Sequence, residues 1–246
     1  MLGGSFAFAD SPDQKGRPLP SGIQEGTSSD DSNGLRVEMV RAYFDANGGS
    51  CDYDYFDYVA DAPYGYLPTP YKPGYIFIGW FDTAQSSELN EYTVNTPAVP
   101  AYLEAHWGVV KTVYNVGANR NLNIYGSNLS SLSNGINVTT WTTSGSNEQK
   151  WIIDMSLQSN IAIRSVIDRN YGLNVYRAGS PWNCNVHTVV GNETDAMIDL
   201  EYVSGSNYNI KLHNYDLYLT AAGSYDGSNV YWSSYTGSNY QLWTIY

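Results

Sequence analysis

The chain has 246 residues, with 12 Lys and Arg against 24 Asp and Glu, a formal net charge of −12. That surplus of carboxylates repels phosphate backbones and anionic bilayer surfaces, which argues against nucleic acid and membrane as partners. No run approaches the roughly 18 apolar residues that cross a bilayer, and two cysteines, Cys51 and Cys184, imply neither a disulfide framework nor a thiolate metal site. Polarity comes instead from Asn, Ser, Thr and Gly, beside 23 Tyr and 7 Trp. Aromatic faces cover C–H patches while amides pair with hydroxyls, a chemistry suited to neutral polyhydroxylated ligands. All-β domains are also rich in these rings, so composition alone leaves both readings open.

Residues 1–36 read as a tail or linker. Pro12, Pro18 and Pro20, followed by the run Ser28 to Gly34, offer little to pack. Within it, Ala7-Phe8-Ala9 before Asp10 has the small-x-small form of a signal cleavage site, although the stretch before it is short and lacks basic residues. Export and coincidence both fit that tripeptide.

Residues 37–107 form a distinct segment. An alternating run, Val40 to Phe44, predicts a strand, and Asp45-Ala46-Asn47-Gly48-Gly49 predicts a turn with positive φ. Tyr64-Gly65-Tyr66-Leu67-Pro68-Thr69-Pro70 follows, then Gly74-Tyr75 before the apolar run Ile76 to Phe81, and the segment closes on Leu103-Glu104-Ala105-His106-Trp107. These four blocks, in this order, resemble the Listeria–Bacteroides repeat of bacterial surface proteins. The resemblance implies a small β-grasp-like module, a secreted or cell-surface location, and a spacer or adhesive role. The inserted Cys51 to Tyr58 alternates Asp with aromatics; it lacks the Gly and terminal Glu of a calcium loop and reads as a solvated strand face.

Residues 108–246 alternate short strand-like runs with Gly, Asn and Ser turns, the mark of an all-β barrel or sandwich. Gln149-Lys150-Trp151 and Gln241-Leu242-Trp243 lie 92 residues apart (149 to 241), with a decayed copy halfway at Asp195-Ala196-Met197. Gly145, Gly191 and Gly237 share the 46-residue period (145, 191, 237). Such self-similarity means one supersecondary unit repeated, here set at 108–156, 157–206 and 207–246. Leu122-Asn123-Ile124-Tyr125 matches Leu173-Asn174-Val175-Tyr176, and more loosely Leu219-Thr220-Ala221. The following strands match as Asn137-Val138, Asn185-Val186 and Asn229-Val230.

This pattern resembles the ricin B-chain type β-trefoil. The resemblance implies that Trp151, Met197 and Trp243 are structural core and that each Gln pairs with backbone near a turn. It also implies a sugar site built within one unit from an Asp after the Leu, a stacking aromatic on the next strand, and a polar pair before the core Trp. The first unit offers Asn123, Trp141, Glu148 and Gln149; the second Asn174, Val189, Thr194 and Asp195; the third Thr220, Ser233, Tyr240 and Gln241. No unit keeps the Asp, so the family's galactose-type selectivity does not transfer. The first unit alone keeps the aromatic. Tyr231, Trp232 and Tyr235 offer a displaced platform in the third, against the plain alternative that Trp141 and Trp232 cover barrel edges.

No zinc-protease, nucleophile-elbow or phosphate-loop motif occurs, and His106, His187 and His213 are scattered. The expectation is a mainly all-β, two-module protein that binds glycans without catalysis, metal or cofactor. The alternatives are a structural or protein-binding spacer, or an accessory region of a larger secreted hydrolase.

Overall fold

A computed structural model describes residues 37–82, 90–157, 159–189 and 194–246. The tripeptide at residues 7–9 and Gly191 lie outside them. The first module is one mixed sheet. Its strands are β1 (Met39–Asp45), β2 (Tyr55–Val59), β3 (Ile76–Asp82), β4 (Asn90–Tyr92) and β5 (Ala101–Lys111). The sheet order is β2-β1-β5-β3-β4, with β1 and β5 parallel and the other neighbours antiparallel. The alternation in the sequence explains the core. Ala42 and Phe44 of β1 and Phe56 and Tyr58 of β2 turn inward, against Trp80, Leu103 and Trp107. On the outward face Arg41 pairs with Asp57 at 2.6 Å.

The motif blocks hold one another. Trp107, in the closing block, donates from Nε1 to the carbonyl of Ala46 in the first turn at 3.0 Å. Trp80, in the third block, donates to the carbonyl of Pro68 in the second at 2.8 Å. Asn47 and Gly48 take φ of 46° and 76°, the positive values expected of that turn. Burial of each indole thus fixes a loop with no regular structure of its own.

The second module is a closed barrel with a three-hairpin cap, a β-trefoil. The hairpins are β7 (Arg120–Ile124) with β8 (Ile136–Trp141), β11 (Tyr171–Tyr176) with β12 (Trp182–Thr188), and β15 (Tyr218–Ala221) with β16 (Ser228–Ser233). The barrel uses the end of β5, β6 (Val113–Asn115), β9 (Trp151–Ile153), β10 (Arg164–Ser165), β13 (Ile198–Ser204), β14 (Asn207–Leu212) and β17 (Leu242–Ile245), and closes where β17 pairs with β6. Each second hairpin strand pairs with the other two around a central axis. On that axis three asparagines close a ring. Asn137 donates to Asn229 at 2.9 Å, Asn229 to Asn183 at 2.9 Å, and Asn183 to Asn137 at 2.8 Å.

This ring and the turns before the barrel strands correct two expectations about the repeat. The partner of Asn137-Val138 and Asn229-Val230 is Asn183-Cys184, not Asn185-Val186, with buried Cys184 standing where the others have valine. A slip of two residues preserves the facing of a strand, so the dipeptide match in the sequence pointed to the wrong pair. The decayed copy is likewise displaced by one. A short 3-10 turn ends at Gln149, at Ala196 and at Gln241 in the three units. Ile198, not Met197, therefore occupies the slot of Trp151 and Trp243, and all three are wholly buried. Met197 corresponds to Lys150 and Leu242 and is only half-buried. The two indoles donate to the carbonyls of Leu122 and Leu219, a bond an isoleucine cannot make.

The modules share a strand. β5 pairs with β1 and β3 through Gly108 and then with β9 from Val109 to Lys111. Ile78, Phe81 and Ile152 pack across the junction. Gly108 permits this contact, since a Cβ there would stand 2.5 Å from Ile152 Cγ2. Buried Arg164 donates to Glu91 at 2.8 Å, and His106 Nδ1 lies 3.4 Å from Asp154.

Two tests follow from this packing. Asn183→Ala breaks two bonds of the ring and leaves partners unpaired, so it should cost about 1–2 kcal/mol in urea unfolding. Burial pushes the Asp154 carboxyl up, but bonds from His106 and Ser156 outweigh it and hold it below the usual carboxylate range. A folded-state value below the unfolded one stabilises above the unfolded carboxyl pKa, about 3.9, and that contribution vanishes as pH falls through the folded value. The stabilities of wild type and Asp154→Asn should therefore differ at pH 7, begin to converge as pH falls below about 4, and meet only below the folded-state value.

Candidate functional site

The first unit's polar candidates are built into the fold. Gln149, 1% exposed, accepts from Asn121 Nδ2 at 3.0 Å and Ser144 N at 2.9 Å, and donates to Thr142 O at 2.9 Å. Gln241 repeats this in the third unit, accepting from Thr236 N at 2.7 Å and donating to Ser234 O at 2.9 Å. Each amide ties the loop leaving its hairpin to the barrel. Asn123 and Asn174 are buried and donate to the carbonyls of Ile124 and Val175. Glu148, also buried, accepts from Leu129 N at 2.7 Å. Burial pushes its carboxyl up, but the backbone N–H of Leu129 and the side chain of Ser146 bring it below its ordinary value.

The aromatics divide. Trp232 is 1% exposed and belongs to the barrel core, so it offers no platform; Tyr231, beside it, is half-buried. The alternation of β16 sends Val230 and Trp232 inward together. Trp141, the last residue of β8, is 38% exposed. Ladder pairing sets its equivalents as His187 and Ser233, opposite Gly172 and Tyr218 as Trp141 is opposite Asn121. The second-unit equivalent is therefore His187 rather than Val189, which is buried. Trp141 alone among the three puts an indole at the surface.

What surrounds Trp141 comes from elsewhere in the chain. The turn between β15 and β16 brings Asp226 to the residue that follows Trp141, where Oδ1 accepts from Thr142 N at 2.7 Å and Thr142 Oγ1 at 2.9 Å, and also from Arg120 Nε at 2.8 Å. The Thr142 N–H is the main cause, with the Thr142 hydroxyl and Arg120, of a carboxyl held below its usual range. Gly227 follows with a φ of +82°, and it lies beside the indole, since a Cβ there would meet Trp141 Cζ3 at 3.5 Å, an ordinary contact distance. The contacts of Asp226 span 84 and 106 residues. No local pattern pointed to them.

Two of the three histidines, His106 and His213, have carboxylate neighbours. Asp154 accepts from Ser156 and lies beside His106; Asp199 accepts from Ser159 and pairs with His213 at 2.8 Å. In both clusters the carboxylate stands between hydroxyl and imidazole. A serine nucleophile needs the imidazole in that middle position to take its proton.

A family model described as the Listeria-Bacteroides repeat domain matches residues 41–103. The first module thus carries a Listeria–Bacteroides repeat over residues 41–103, and the second has the β-trefoil fold. Among solved structures, the designed three-fold symmetric protein ThreeFoil is 21% identical; the match covers 55% of this chain and 96% of that one, with a TM-score of 0.48. The Rhizoctonia solani agglutinin is 13% identical over 61% of this chain and 97% of its own, with a TM-score of 0.48. The Macrolepiota procera ricin B-like lectin, solved with lactose, is 14% identical over 56% and 94%, with a TM-score of 0.43. A comparison with curated proteins gave no match.

In this repeat–trefoil chain the buried amides and the exposed indole have separable roles. Gln149→Ala should cost about 2–4 kcal/mol through its three bonds, whereas Trp141→Ala should stay within about 1 kcal/mol of wild type. Chemical unfolding of the two variants checks the division.

Proposed function

We propose that the trefoil binds neutral saccharides without transforming them, and that the chain is exported to act as an adhesive or tethering unit at a glycan-bearing surface. The observation that carries this reading is the exposed Trp141 indole. It stands at the end of β8, beside Gly227 and next in the chain to Thr142, to which Asp226 is bonded. A rigid aromatic face covers the C–H patch of a pyranose at little entropic cost. The surplus of carboxylates favours neutral over acidic sugars.

A site built on a single indole implies weak binding. A site of this size should give a Kd near 1 mM, about 4 kcal/mol, and useful retention then requires several chains acting on a clustered ligand.

A second reading has its own support. Every polar side chain assigned to sugar in the first unit except the indole is consumed by internal hydrogen bonds, as a purely structural or protein-binding trefoil would have it. Titration with a panel of neutral mono- and disaccharides, followed by NMR, separates the two. Saturable shifts near Trp141 that Trp141→Ala abolishes are expected for saccharide binding. An unresponsive wild type removes that reading in favour of the spacer.

A further inference from the structure

We infer that the polar half of the saccharide site is supplied across a lobe boundary, by Asp226 of the third unit with Arg120 of the first, and that the pair selects a sugar presenting two adjacent hydroxyls. The inference rests on the saccharide reading and adds to it the groups and ligand feature that decide specificity.

The valences of the two side chains lead to it. Asp226 Oδ1 is saturated by the Thr142 N–H, the Thr142 hydroxyl and Arg120 Nε, whereas Oδ2 takes no hydrogen bond among the described residues. Arg120 spends Nε on Asp226 and Nη1 on the carbonyl of Ala118 at 3.2 Å, and Nη2 has no partner among the described residues. The Asp226 side chain is more than a third exposed and that of Arg120 a fifth, so both side chains reach solvent. One outward group only accepts and the other only donates. A hydroxyl does both. Two neighbouring hydroxyls, one donating to Oδ2 and one accepting from Nη2, satisfy the pair, and bonds to ionised partners are roughly twice as strong as neutral ones.

Placement against the indole is set by covalent neighbours. Thr142, which holds Oδ1 through backbone and side chain, directly follows Trp141. Gly227, which directly follows Asp226, lies at the indole edge. A pyranose lying over Trp141 therefore has the carboxylate at its rim. The arrangement needs both hairpins at once. An acidic sugar would bring its own carboxylate toward Oδ2 and be repelled.

Asp226→Asn separates the roles. The amide oxygen can still accept from Thr142 and Arg120 at the Oδ1 position, while the outward atom becomes a donor. The experiment titrates wild type, Asp226→Asn, Arg120→Met and Trp141→Ala with neutral monosaccharides and with their singly deoxygenated analogues, following NMR shifts, alongside thermal unfolding of each variant. The expected result is at least tenfold weaker binding for Asp226→Asn at an unchanged melting temperature, a similar loss for Arg120→Met, and an equal loss in wild type when either of two adjacent hydroxyls is removed. If Asp226→Asn binds like wild type while Trp141→Ala does not, this inference is overturned and the saccharide reading stands. Should Asp226→Asn fail to fold, the deoxy series decides on wild type alone, and indifference to every single deoxygenation overturns the pair. If wild type binds no saccharide, both fall.

Discussion

Three carboxamides donating to one another around the pseudo-threefold axis set where the rest of the trefoil lies. An amide has a donor and an acceptor end, so a ring of three is satisfied only when all three hairpins arrive at the same height and angle. That requirement converts chain spacing into geometry. With Asn137, Asn183 and Asn229 in place, Val138, Cys184 and Val230 fall inside the barrel together. Burial leaves the Cys184 thiol well above its usual pKa, so it serves as a small apolar group.

Closed symmetry also explains why the surface does not partition by lobe. The loop after β8 is tied to the barrel by Gln149 and bordered by the β15–β16 turn through Asp226. An ideal three-fold repeat would place the same groups at every boundary. This chain has Trp141, His187 and Ser233 at the equivalent strand ends, so the boundaries have diverged into chemically different faces.

The fold was legible where rare residues recur. Trp and Gln are uncommon enough that two in-phase copies revealed both the period and the core slots, and the Asn-Gly turn and Trp blocks of the first module were similarly distinctive. In the second unit neither landmark survives. Ala196 fills the Gln position and Ile198 the Trp position, and both are such common residues that bulky Met197 drew the assignment one residue early. The same period would have found Asn183, since 137, 183 and 229 are evenly spaced, but the nearer Asn-Val dipeptide looked the better match. The site was less legible for a different reason. Side-chain exposure depends on which pleat faces out, which separated Trp141 from Trp232, and Asp226 reaches Thr142, next to Trp141, only after the barrel has closed.

The unbroken course of β5 from one module into the other has a mechanical meaning. No hinge separates the two bodies, and Gly108 lets Ile152 seat tightly against the first sheet. If the chain is held upstream of β1 and loaded through the trefoil, tension enters at the start of β1 and leaves through the far end of β5. Those two strands run parallel from Ala42–Ala101 to Asp45–Glu104, so the ladder between them is pulled in shear, with its bonds sharing the load instead of unzipping singly. The repeat then transmits force to the barrel as a stiff strut.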